Sequence, residues 1–174
     1  MSERERELEA SGDPEAEDNH YEVQFRYVTG LVAERRKGKR IVKWEETHWQ
    51  QGRQGLLRFY CNPGQWHELA APGWTLFHQQ VLKHSGKHIH QGGLPIYVVQ
   101  GSGYSVIDGV RYNWKKGDLL CLPFKRGGVE HQHFNEDPDN PPVWIALRFM
   151  VFQENAAGDL IQVETHPDWN DKKK

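Results

Sequence analysis

From about Glu22 onward the chain is a succession of short apolar runs, each soon broken by glycine or proline, with little helical periodicity. That punctuation is the mark of an all-β chain. Thr75–Leu82, Pro95–Gln100, Tyr104–Ile107, Val110–Trp114, Leu119–Leu122 and a long closing run, Val143–Phe152, read as strands, and Leu56–Tyr60 as a shorter one. Asp108-Gly109 lies between two of them and is a strong signal for a two-residue hairpin turn. Many short antiparallel strands in one domain bury their inner faces as a sandwich or a closed barrel. A chain of 174 residues holds one such domain with a real core and is short for two. The expected organisation is a disordered acidic tail over 1–20, N-terminal strands and an arm over 21–73, a barrel core over 74–152 and a C-terminal segment over 153–174.

Composition bounds the ends and the setting. Residues 1–20 carry eight acidic side chains against Arg4 and Arg6, with almost no apolar content to offset the entropy of ordering. A nascent helix over Glu3–Ala10 is the most structure expected there. Tyr21–Leu31 alternates weakly, as an arm or first strand would. Arg35-Arg36-Lys37-Gly38-Lys39-Arg40 is read as a solvated turn rather than a nucleic-acid patch. Cys61 and Cys121 lack metal-ligand spacing, and Cys121, inside Leu119-Leu120-Cys121-Leu122, is expected to be a buried, inert thiol. No apolar stretch approaches the roughly 20 residues of a membrane span, and no secretory signal is evident. A cytoplasmic location follows, with neither membrane nor nucleic acid as partner.

The chemistry is concentrated in two histidine doublets, His88-Ile89-His90 and His131-Gln132-His133. In a strand, residues i and i+2 share a face, so each doublet aims two imidazoles at one point. The run between them can bring the doublets together. Imidazole is the commonest metal ligand, and several converging in a small β-enclosed cavity suit a transition metal.

The order of these features resembles the cupin superfamily, the double-stranded β-helix or jelly-roll barrel. One motif reads His88-Ile89-His90 and then Leu94 through Gly101. The other reads Gly117-Asp118-Leu119-Leu120-Cys121-Leu122-Pro123 and later His131-Gln132-His133-Phe134-Asn135. The resemblance covers roughly residues 74–150 and implies a metal held by His88, His90 and His131, with His133 a fourth candidate. It also implies a departure, because Leu94 stands where the glutamate ligand normally falls. An apolar residue there, and a His-x-His-x-Asn string followed by Pro141-Pro142-Val143-Trp144, is similar to gentisate-type ring-cleaving dioxygenases. Members of that group often have two such domains, and this chain has one.

Three neutral imidazoles leave the charge of a divalent ion uncompensated, which favours an anionic, chelating substrate such as a 2-hydroxybenzoate or a catecholate. Open coordination positions suffice for that substrate and O2, and Fe(II) is the expected ion, other divalent transition metals being possible. Leu94, Ile96 and Val98 share one strand face and are expected to line the cavity, with Phe77, Trp144 and Phe134 as aromatic walls. Each of these is equally a core residue by type. Arg148 has the parity of Trp144 and suits a substrate carboxylate, or else a surface or inter-subunit ion pair. His133 is read as a catalytic or substrate-positioning group more than a ligand. His78 and His84 are read as structural, and His20, His48, His67 and His166 receive no role. Two other functions stay open: a metal-dependent isomerase or lyase, and a non-catalytic small-ligand-binding module. By analogy with cupins a homodimer is expected, with Tyr21–Leu31 as a candidate exchanged arm.

Overall fold

The computed structural model describes residues 20–155 and 160–169. The acidic tail, its nascent helix and the last five residues lie outside the described residues, apart from His20. Contacts divide the chain into two units, one reaching to Ile41 and including His67–Pro72, the other formed by Val42–Trp66 and Gly73 onward.

In the first unit His20–Lys37 forms a helix, α1, where a strand or arm was expected. The stretch has no proline. Glu22 lies in its first turn and Arg35, Arg36 and Lys37 in its last, which complements the helix dipole. Those end effects prevail over a weak alternation. None of its side chains is buried. The backbone then pairs Lys39 with Leu69. No helix among the described residues is long and apolar enough to cross a membrane.

The second unit is built from two antiparallel sheets. Its strands are β1 (Gln50–Gly52), β2 (Gly55–Cys61), β3 (Trp74–Gln80), β4 (Lys87–His90), β5 (Leu94–Gln100), β6 (Ser102–Ile107), β7 (Val110–Lys115), β8 (Leu119–Leu122), β9 (Val129–Asn135), β10 (Val143–Phe149) and β11 (Ile161–Glu164). One sheet runs β1-β2-β3-β10-β5-β8 and the other β11-β4-β9-β6-β7. This is the double-stranded β-helix that the sequence led us to expect.

Alternation builds the inner face. On β5, Leu94, Ile96 and Val98 are buried while Pro95 and Tyr97 face outward. With Val81, Ile107, Trp114, Leu122, Val129, Trp144 and Ala146 they form one core, each large aliphatic side chain contributing about 1.5–3 kcal/mol by leaving water. Asp108 and Gly109 have φ of 49° and 81°, the left-handed pair that a two-residue hairpin turn between β6 and β7 demands. On the outer face, Arg58 is buried over the Trp44 ring, 3.2 Å from its centroid, and donates to Thr47. This anchor pins the segment before β1 onto the sheet.

Two expectations are corrected here. The closing strand stops at Phe149, because Met150–Asn155 turns into a short helix, α2, whose first N–H donates to Gly73 O at 2.8 Å. Cys121 is exposed, because β8 is the end strand of its sheet and alternation turns Leu122 inward and Cys121 outward. An apolar run had suggested burial on both faces. Cys61 and Cys121 are both free thiols.

Candidate metal centre

β4 and β9 pair antiparallel with His88 directly opposite His131 and His90 opposite Val129. Side-chain alternation then turns His88, His90, His131 and His133 to one face, where all four are buried. The rings of His88 and His131 lie 4.2 Å apart, His90 and His131 4.7 Å, and His88 and His90 5.0 Å. One ring nitrogen from each of these three can be chosen so that all lie within 4.8 Å of one another. His133 does not belong to that group; its ring stands 5.5 Å from His131.

Hydrogen bonds indicate the free nitrogen in two of the three rings. His90 Nδ1 lies 2.6 Å from Gln91 O, and His131 Nδ1 3.1 Å from Val129 O. A carbonyl only accepts, so Nδ1 carries the proton in both rings and the Nε2 lone pair is free. Burial, followed by repulsion from His131 and then Arg148, holds His90 down to about 3. Burial is also the main cause that lowers His131 to about 4, opposed by its bond to Val129. Burial and then the neighbouring imidazoles depress His88 and His133 as well. All four rings are therefore neutral at pH 7, the state in which imidazole binds a metal. The donor set fits a divalent transition ion at His88, His90 and His131.

His133 is held differently. Its Nδ1 is 2.7 Å from Ser105 Oγ, which in turn accepts from Trp114 Nε1–H at 2.8 Å. The arrangement that satisfies every group has the serine hydroxyl donating to Nδ1, leaving His133 Nε2 protonated and a donor. His133 stands outside the ligand group by geometry, its ring 5.5 Å from that of His131, and in this tautomer its Nε2 is a hydrogen-bond donor.

The imidazoles open into a cavity of about 240 Å³. Of the expected wall residues, Phe77, Leu94, Ile96, Trp144 and Arg148 line it. Val98 does not, although it faces inward as its parity requires; it is a core residue opposite Trp144. Phe134 does not either: its parity is opposite to that of His131 and His133, and it stacks on Tyr104 at 4.6 Å. Trp144 meets the ring of His133 at 5.0 Å and that of Phe77 at 5.8 Å, both edge-on.

Several lining residues were not picked out in the sequence: Gln54, Leu57, Phe59, Thr75 and Gln79. Thr75 pairs directly with Arg148 across β3 and β10. Its hydroxyl, the Trp144 indole N–H and Gln54 Oε1 are buried with no hydrogen-bond partner in the protein. Buried polar groups are normally satisfied, so such atoms around a cavity mark where a ligand or water bonds. Thr75 precedes Phe77 by two on the same strand, and that parity was the available signal. Arg148 donates through Nε and Nη2 to Gln153 Oε1, and among the described residues it makes no ion pair. Burial lowers it to about 10, so it keeps its charge at neutral pH. His78 sits outside the cavity against Trp44 and Tyr60, and His84 packs on Phe134. His166, given no role, is buried, with Nδ1 accepting from the Asp168 N–H.

Two facing antiparallel sheets with histidines converging between them define a cupin barrel with a candidate metal centre. No protein-family model matches the chain, and no curated protein matches it in sequence. Solved structures share the fold. A cupin 2 conserved barrel domain protein from Salinispora arenicola is 18% identical over 69% of this chain and 97% of its own, with a TM-score of 0.52. A nucleoside dehydratase from Streptomyces is 15% identical over 71% and 92%, TM-score 0.51. The polyketide cyclase of Streptomyces resistomycificus is 15% identical over 75% and 89%, TM-score 0.52. At such identities the likeness establishes the barrel, not the reaction.

Proposed function

We propose that this chain is a metal-dependent cupin enzyme, a non-haem Fe(II) dioxygenase acting on a hydroxylated aromatic or similar chelating, anionic substrate. One observation carries the reading: three neutral imidazoles and a guanidinium that makes no ion pair among the described residues converge on one cavity in which Leu94 supplies no carboxylate. With a divalent ion at His88, His90 and His131, that cavity is strongly positive and calls for a ligand of opposite charge. Space agrees, since a cavity on the order of 150 Å³ already admits benzene and this one is about 240 Å³.

When bound, Fe(II) would supply the electrons that O2 chemistry needs. The protein's part is placement. Arg148 and the unpartnered Thr75 hydroxyl bind the carboxylate or phenolate end. Leu94, Ile96 and Phe77 pack against the ring and keep water out. His133 Nε2–H and the Trp144 N–H donate to a ring oxygen and, in His133, provide a proton at a fixed position.

That last feature also supports a second reading. A buried imidazole donor poised by Ser105 and Trp114 is what a lyase or isomerase needs to protonate a leaving or enolic oxygen, without O2. Metal analysis after anaerobic purification, followed by O2 uptake with 2-hydroxybenzoates, catechols and hydroquinones on the Fe(II)-loaded protein, separates the two. Uptake with one class supports the dioxygenase. Bound iron without uptake on any of them removes it in favour of the lyase, and absence of any metal overturns both.

A further inference from the structure

Gln153 lies on α2, beyond the last barrel strand, and is 4% exposed. Its Oε1 accepts from Arg148 Nε at 2.8 Å and also from Nη2. Its Nε2 lies 3.3 Å from Gln91 O and 3.3 Å from Gly92 O. Gln91 O is also the acceptor that fixes the His90 ring, at 2.6 Å. One amide thus ties the cavity's cation to the backbone that sets a metal-ligand candidate.

The chemistry of that contact is restrictive. A guanidinium only donates and a backbone carbonyl only accepts. The residue between them must offer an acceptor on one side and a donor on the other, with a reach that spans both. A neutral glutamine does this. A glutamate would satisfy the guanidinium but set an oxygen against two carbonyls, and it would cancel the arginine's charge. Buried cations ordinarily pair with carboxylates; here the sequence holds Arg148 with a dipole instead. The consequence is a guanidinium fixed in place but electrostatically unspent.

We infer that Gln153 is a specificity-determining positioning residue: it clamps Arg148 without neutralising it, so that the cavity's preference for an anionic over a neutral ligand depends on this amide. The inference rests on the reading of an anion-binding cavity given above. It differs from that reading in locating the selectivity outside the cavity wall, in a residue that does not line it.

The test uses the full chain loaded with Co(II), whose visible spectrum reports metal binding, and two probes of nearly equal shape, benzoate and benzamide. Wild type should bind benzoate more tightly than benzamide. Gln153→Glu should reduce the benzoate-to-benzamide affinity ratio at least tenfold while Co(II) affinity holds or rises, because one positive charge near the imidazoles is cancelled. A merely structural defect would weaken Co(II) and both probes together, and that result would overturn the inference. In an Arg148→Met background the neutral Gln153→Met should leave the ratio unchanged; a further fall there would show that the effect bypasses Arg148 and would also overturn it. Should Gln153→Glu fail to fold, Gln153→Met keeps the charge and removes the clamp. Its ratio should fall by a few-fold, and an unchanged ratio refutes the role. If wild type shows no preference for benzoate, the anionic-substrate reading itself fails; if it does and Gln153→Glu retains that preference, only the role of Gln153 fails.

Discussion

Acid should unfold the metal-free protein unusually early. His88, His90, His131 and His133 are all held neutral by burial. In the unfolded chain each titrates near its ordinary value of 6.5. Below that pH the unfolded state binds protons the folded state refuses, so stability is complete above about 6.5 and falls as pH drops. The loss continues until pH reaches about 4 for His131 and about 3 for His90. Between pH 7.5 and 5.5 one such imidazole removes about 1.4 kcal/mol, and four remove about 5. That is comparable to the whole stability of many domains, roughly 5–15 kcal/mol. The Asp108 carboxyl, lowered from 3.8 by its hydrogen bond to the Lys125 ammonium, does not contribute over this range. His78 and His166 are also lowered by burial and add to the absolute loss, but they cancel in a comparison between variants. Urea unfolding of chelator-treated protein at the two pH values, for wild type and His133→Gln, measures the effect. Wild type should lose about 5 kcal/mol or more, and the variant about 1.4 less. A wild-type loss below about 2 kcal/mol, or an identical loss in the variant, would refute the reasoning.

The same neutral ligands make metal uptake insensitive to mild acid. Three unperturbed imidazoles would cost about 70-fold in affinity between pH 8 and 6, whereas Co(II) competition titrations here should show a change below about twofold. Leu94→Glu places a carboxylate in the cavity wall and should tighten Co(II) at least tenfold while weakening benzoate at least as much; unchanged benzoate affinity in titration calorimetry would mean the ion and the ligand do not meet. Gly109→Ala should cost about 1–2 kcal/mol in urea unfolding, from its left-handed φ alone, since nothing lies within 4 Å of the added carbon. Gly92→Ala should cost more, because its Cβ would fall 1.7 Å from Pro123 O and force the loop after His90 to move.

What was legible in the sequence is what depends on local period and fixed spacing. Asp108-Gly109, the alternation of Leu94, Ile96 and Val98, and the two histidine doublets each state their geometry within a few residues. What was illegible depends on partners far along the chain. Cys121 reads as buried until β8 is known to be the end strand of its sheet. Tyr21–Leu31 reads as a strand while the charges at both ends of α1 are ignored. Gln153 carries no motif at all, and only the fold brings it against Arg148. Val98 shows the limit of parity, which gives the face of a strand but not the depth at which a cavity ends.

The pairing of β4 with β9 has a consequence for how the chain folds. Strands pair with a period of two, so a slip of one residue would turn His88 and His90 outward and bring Lys87 and Ile89 to the interior. Only the register that sets His88 opposite His131 assembles three nitrogens within reach of one ion. An ion with affinity for that trio would withhold its binding energy from every misregistered barrel and grant it to one. The centre would then proofread strand alignment in the nascent barrel, before any substrate arrives.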